Sequence, residues 1–321
     1  MSRDVLERIR EACAAVVERA RFVRIDEARL RALAADLART PAPASHLDPA
    51  HQDLGGEAAT LAYVVTLDAI NFGSGWFPHL RKRDGHSGYF TIAGGLRERF
   101  ERKGAWSAAE LRALGEGELA LLFDQDPRVP EAAELMGLFA RALHELGAFL
   151  AEHYAGRFAG PIEEAGGSAA RLVEILARMP LYRDVARYDG LEVPFFKRAQ
   201  LTAADLAAAF RGEGPGRFRD LDRLTLFADN LVPHVLRREG VLRYDEGLAR
   251  RIDAGALIAA GSPEEVEIRA AAVHAVELCV AEIRGGGGSA TAHGLDFVLW
   301  NRGQRPEVKA HPRHRTRTTY Y

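Results

Sequence analysis

Two residues could form an acid and its counter-charge. Asp229 lies in the largely apolar run Leu224-Thr225-Leu226-Phe227-Ala228-Asp229-Asn230-Leu231-Val232-Pro233-His234. Burying a carboxylate without a partner costs at least several kcal/mol, about a few pKa units, so something must compensate it. Lys197, hemmed in by Pro194, Phe195 and Phe196, is a candidate partner, and a perturbed acid–lysine pair is a signature of a reactive site. The alternative is that Asp229 caps a helix and Lys197 lies on aromatic rings at the surface.

Three further groups have suitable chemistry. Asp68, Asn71, Phe72, Gly73 and Trp76 follow an apolar run that reads as a buried helix over residues 57–70. Aromatics among Asn and Gly suit a stacking platform for a planar ring, or else ordinary core rings beside a turn. His46 and His51 fall in a loop, as ligands, proton donors or solvated side chains. On the segment opened by Ser262-Pro263-Glu264-Glu265, the polar residues Glu267, Arg269, His274 and Glu277 must pair with each other or meet a ligand.

The elements that must position these groups read as helices. Ser262 as N-cap, with Pro263 and Glu265 behind it, opens a helix to Arg284 whose core face is Val266, Ala270, Val273, Val276 and Val280. Pro130 begins a long amphipathic helix to Tyr154, and Ser107 with Glu110 forms a capping box. Thr202 is expected to cap a helix over 203–210, residues 160–167 to form a loop, and the basic tail from His311 to be a frayed, solvated end or an anion-binding segment. The spacing predicts an all-α, mainly helical fold. No Pro/Ser-rich linker divides the 321 residues, so one compact domain over 1–321 is expected.

Composition narrows the partners. A net charge of -2 with mixed signs does not suggest a duplex-binding surface, so a small-molecule substrate fits better than a nucleic acid polymer. Cys13 and Cys279 suit buried thiols in a reducing cytoplasm, and no run reaches membrane-spanning length. No Cys/His cluster or phosphate-cradling glycine motif suggests a metal or cofactor. The expected protein is a cytoplasmic monomer.

The sequence resembles the queuosine salvage family of queuosine 5'-monophosphate N-glycosylases. The resemblance rests on Asp68-Ala69-Ile70-Asn71-Phe72 with Trp76, Tyr182-Arg183-Asp184-Val185, Lys197-Arg198-Ala199-Gln200 with Asp205, and Phe227-Ala228-Asp229 with Pro233. It continues through Glu265-Val266-Glu267-Ile268-Arg269, Ala275-Val276-Glu277-Leu278, Leu295-Asp296 with Leu299-Trp300, and His314-Arg315-Thr316-Arg317 with Tyr320-Tyr321. It implies an all-α fold similar to helix-hairpin-helix DNA glycosylases. It also implies hydrolysis of the N-glycosidic bond to give queuine, a 7-deazaguanine, and ribose 5-phosphate, in the salvage that supports tRNA modification.

By that resemblance Asp229 is the catalytic acid residue and Lys197 lies in the site. Asn230 and His234 stand where the family carries other side chains after its aspartate and proline. Phe72 and Trp76 would sandwich the base, with Asn71, His51 and Trp300 counted among the substrate-binding residues. Asp68, Glu267 or Glu277 would meet the cationic amine of queuine, and Lys197, Arg198, Arg315 or Arg317 the 5'-phosphate. No proton donor to the base is evident. The competing readings are a DNA-base glycosylase, suggested by the helical hairpin from Ser107 to Phe123, and a non-catalytic binder of a modified deazaguanine base.

Overall fold

The computed structural model describes residues 4–40, 54–83 and 85–321, which are mainly helical. The elements in order are α1 (Val5–Glu18), β1 (Val23–Ile25), α2 (Glu27–Leu37), α3 (Glu57–Ala69), α4 (Gly88–Lys103), α5 (Ala108–Ala113) and α6 (Glu116–Leu122). Next come α7 (Pro130–Tyr154), α8 (Gly160–Ala165), α9 (Ala169–Leu176), β2 (Val185–Tyr188), β3 (Leu191–Pro194) and α10 (Lys197–Ala209). The chain ends with α11 (Val232–Arg238), β4 (Leu242–Tyr244), α12 (Glu246–Asp253), α13 (Pro263–Gly285), α14 (Ala292–Gly303) and α15 (Pro306–Lys309). Two small antiparallel ladders, β1 with β4 and β2 with β3, are the strands among the described residues.

Packing divides the chain into two compact units. The first comprises Met1–His46, Asp184–Gln200 and Asp220–Thr316; the second comprises Leu47–Arg183, Leu201–Arg219 and Arg317–Tyr321. In the first unit α13 is the central element, packed against α1, α2, β1, α11 and α14. Its face of Val266, Ala270, Val273, Val276 and Val280 is buried as the spacing predicts. Each large apolar side chain so covered contributes about 1.5–3 kcal/mol. Ser262 accepts from Glu265 N at 3.3 Å, while the Glu265 carboxylate reaches back to Gly261 N at 3.2 Å.

In the second unit α7 plays the same part, packed against α3, α5, α6 and α8. It starts at Pro130, as expected, and buries Leu135, Phe139, Leu143, Leu146 and Leu150. The Ser107–Glu110 capping box is present at the start of α5.

Three expectations are corrected. Residues 160–165 are the helix α8, opened by Pro161. Thr202 is fully buried inside α10, which begins five residues earlier at Lys197. The tail is not frayed. Arg315 O accepts from Ile258 N at 2.8 Å, with His314 and Thr316 buried, and within the second unit Tyr321 O accepts from Gly73 N at 3.0 Å. Backbone pairing and burial, which composition does not report, hold it.

Burying the tail also leaves a titration signature. Burial, reinforced by Arg313, Arg269 and His234, drives His314 from 6.5 down to about 3. The unfolded chain therefore binds a proton below its ordinary value that the folded chain refuses. Stability contributed by this group is intact above pH 6.5 and lost as pH falls from 6.5 toward about 3. The expected slope is up to about 1.4 kcal/mol per pH unit. His314→Asn should flatten it, measured as urea unfolding free energies at neutrality and at about pH 5.

Candidate active site

In the first unit, two segments hold the expected acid and lysine: the start of α10, bearing Lys197, and the turn at 227–231 before α11, bearing Asp229. Both are tied to one buried ion pair. Arg269 on α13 donates from Nη1 and Nη2 to Asp184 Oδ1 and Oδ2, at 2.9 and 2.6 Å. Its Nε donates to Ala228 O at 3.0 Å, and its guanidinium lies 4.0 Å above the Phe195 ring. Asp184 in turn accepts Lys197 N on Oδ2 at 3.1 Å and the amides of Phe195 and Phe196 on its backbone oxygen. One bidentate pair thus fixes the residue before Asp229 and the first amide of the Lys197 helix.

Two features complete the frame. Gln200 donates Nε2 to Phe195 O and to Thr225 Oγ1, each at 2.9 Å, and accepts Thr225 N at 2.9 Å. This ties the first turn of α10 to the strand-like approach to Asp229. Phe196 takes a left-handed backbone with φ of 46°, which costs a non-glycine residue about 1 kcal/mol or more and persists because its surroundings fix it.

Asp229 is half-buried, and its Oδ1 accepts from Leu231 N at 2.8 Å and Val232 N at 3.1 Å. The capping alternative therefore describes Oδ1, while Oδ2 takes no hydrogen bond among the described residues. Lys197 is 7% exposed. Asp296 on α14 is buried, and its Oδ1 accepts Phe227 N at 3.2 Å. Burial first, then the charge of Asp229, raise the Asp296 carboxyl well above the usual carboxylate range; the Phe227 amide and Lys197 oppose this. Asn230 Nδ2 and His234 Nδ1 are buried without a hydrogen-bond partner among the described residues. His234 Nε2 pairs with Val308 O at 3.1 Å. Arg313 is half-buried, and the Asp229 charge partly offsets the effect of burial on its guanidinium.

Other expected residues have structural partners. Glu267 is fully buried and accepts Arg21 N, Phe22 N and Val23 N at 2.6–3.0 Å and the Tyr188 hydroxyl at 2.7 Å. It clamps the α1–β1 connection, and burial, then its hydrogen bond and charge, push the Tyr188 phenol up to about 12. Both Glu267 oxygens thus accept hydrogen bonds from the protein. Glu277 pairs with Arg10 at 3.0 Å. Arg198 is 2% exposed, Arg315 is held by its backbone and keeps Nε buried, and Trp300 lies one turn after Asp296 on α14.

Asp68, Asn71, Phe72, Trp76 and Arg317 belong to the second unit. Phe72 is a core ring, edge-on to Phe139 with centroids 5.1 Å apart. Trp76 is 3% exposed and donates Nε1 to Glu134 at 2.8 Å. Two rings engaged in this way form a core cluster rather than an open sandwich. Arg317 pairs with Glu131 at 3.3 Å and Glu134 at 3.4 Å, so its charge is already matched. Asp68 is fully buried and accepts from Asn71 at 3.4 Å. His51, with His46, lies outside the described residues. Sequence reasoning had assigned no role in the site to Asp184, Arg269, Asp296 or Arg313. The available signal was a charged side chain at a buried helical position, as at Arg269 and Asp296.

Breaking a buried pair leaves one charge unmatched. Arg269→Met should destabilise the chain by about 3–5 kcal/mol, measured by urea unfolding. Asp184→Asn, which leaves the buried guanidinium with Glu265 at 3.7 Å, should cost a comparable amount.

Sequence comparison identifies the family. The profile of the queuosine salvage protein family matches residues 50–321. Queuosine 5'-phosphate N-glycosylase/hydrolase of Sphaerobacter thermophilus is 39% identical over 312 residues, covering 95% of each chain. The protein of the same description from Mus musculus is 30% identical over 335 residues, covering 97% of this chain and 98% of its own. That from Dictyostelium discoideum is 33% identical over 82% of this chain and 78% of its own. The chain therefore belongs to the queuosine salvage protein family.

Proposed function

We propose that the chain is a queuosine 5'-phosphate N-glycosylase/hydrolase, which uses water to cleave the N-glycosidic bond and release queuine and ribose 5-phosphate. The observation that carries this reading is Asp229: one oxygen is held by two helix-opening amides, the other is uncommitted, and a buried lysine helix is anchored to the same ion pair. Glycosidic cleavage develops positive charge at C1' and the ring oxygen. A carboxylate fixed close to that centre stabilises the charge and takes a proton from the attacking water.

Lys197 offsets the negative charge gathered at Asp229 and Asp296. Arg313, within the field of Asp229, receives the 5'-phosphate, with Arg198 and Arg315 as further cations. Asn230 Nδ2 and His234 Nδ1, buried without hydrogen-bond partners among the described residues, serve the base or ribose. Trp300 offers an aromatic surface on the same helix face as Asp296. The whole chain serves as one salvage domain, acting as a cytoplasmic monomer on a free nucleotide. The near-neutral charge supports a nucleotide over a polymer, against the DNA-glycosylase reading. Among the described residues, no helix is long and apolar enough to cross a membrane.

The reading is tested by incubating the purified protein with queuosine 5'-monophosphate, and in parallel with queuosine, and following queuine by mass spectrometry. Release from the monophosphate is expected, and Asp229→Asn should lower kcat by about 10³-fold or more while base binding persists. Binding of queuine without release from either compound would instead support the non-catalytic binder.

A further inference from the structure

Cleavage to a neutral deazapurine needs a proton at the leaving group as well as a base for water, and Asp229 cannot serve both roles in one step. We propose that Asp296 is the proton donor to the departing base. This assignment rests on the hydrolase reading above.

The geometry is specific. Asp296 projects from the middle of α14, and Phe227 locks that helix to the turn bearing Asp229. The Phe227 amide donates to Asp296 Oδ1 at 3.2 Å, and its ring meets Phe297 edge-on at 6.3 Å. A Cβ at Gly303, later on α14, would lie 2.8 Å from Leu231 Cγ, so the helix and the turn approach each other as closely as a glycine permits. Asp296 is 3% exposed, and among the described residues Oδ1 accepts the Phe227 amide while Oδ2 takes no hydrogen bond, which suits Oδ2 to carry a proton. The charges acting on it are Asp229 from the turn and Lys197 from α10. The Asp229 charge and burial together favour the protonated form, as suits the acid of a carboxyl pair whose environments differ. His234 is a poor alternative: Nε2 is taken by Val308 O, and burial keeps the ring neutral.

The step balances. The C1'–N bond breaks with its electron pair leaving on the base, and the oxygen of water bonds to C1'. The proton of water passes to Asp229 and that of Asp296 to the base. Exchange with solvent then returns a proton to Asp296 and removes one from Asp229, so one water is consumed overall.

Asp296→Asn tests the assignment, because the amide oxygen can still accept from Phe227 while no acidic proton remains. With queuosine 5'-monophosphate, kcat should fall about 10²- to 10⁴-fold, and the alkaline limb of the parent pH–rate profile should disappear. With p-nitrophenyl β-D-ribofuranoside 5-phosphate, whose leaving group needs no proton, the variant should remain within about tenfold of the parent. Equal losses on both substrates, or an unchanged alkaline limb, would overturn the role of Asp296. Parent activity in the same series separates the two readings. An inactive parent overturns the substrate assignment and this one with it, whereas an active parent with an equally active variant overturns only the donor.

Discussion

The buried pair between Asp184 and Arg269 is the interaction on which the candidate site depends. Isolated, each charge would be costly to hold in the core; together they satisfy one another through two parallel hydrogen bonds. Both also reach backbone, and Arg269 pairs further with Glu265 at 3.7 Å. Arg269 grips the carbonyl before Asp229, and Asp184 grips the amide of Lys197. A side-chain network that only matched charges would not need to touch both reactive segments. This one does, so the separation between Asp229 and Lys197 is set by guanidinium and carboxylate geometry rather than by loop length.

A second constraint is electrostatic. Burial first, then the charge of Asp229, raise the Asp296 carboxyl well above the usual carboxylate range. Asp229 is half-exposed and receives two amides at the opening of α11, whereas Asp296 is deeply buried with a single amide. Arg313 lies within the field of Asp229, and Lys197 within that of Asp296.

What the sequence made legible was local. Ser107, Pro130 and Ser262 announce their helices because a cap acts within three residues, and the valine face of α13 repeats at helical spacing. Asp229 and Lys197 stand out as charges among apolar neighbours. The start of α10 was misread because its first amide is capped by Asp184, thirteen residues away, and Thr202 offered a local signal that the fold does not use. The buried tail and the paired states of Glu267 and Arg317 depend likewise on partners distant in sequence. Phe72 and Trp76 show the converse. Their residue types suit stacking on a ligand, yet neighbours such as Phe139 and Glu134 engage them.

The distant cap on α10 has a consequence during synthesis. Arg269 leaves the ribosome about seventy residues after Lys197, at some 5–20 residues per second, so for several seconds the emerging chain holds its lysine without the guanidinium that fixes Asp184. Any fragment ending before α13 lacks the guanidinium that holds both the Ala228 carbonyl and Asp184, so the Asp229 turn and the start of α10 gain their common anchor only after α13 has emerged.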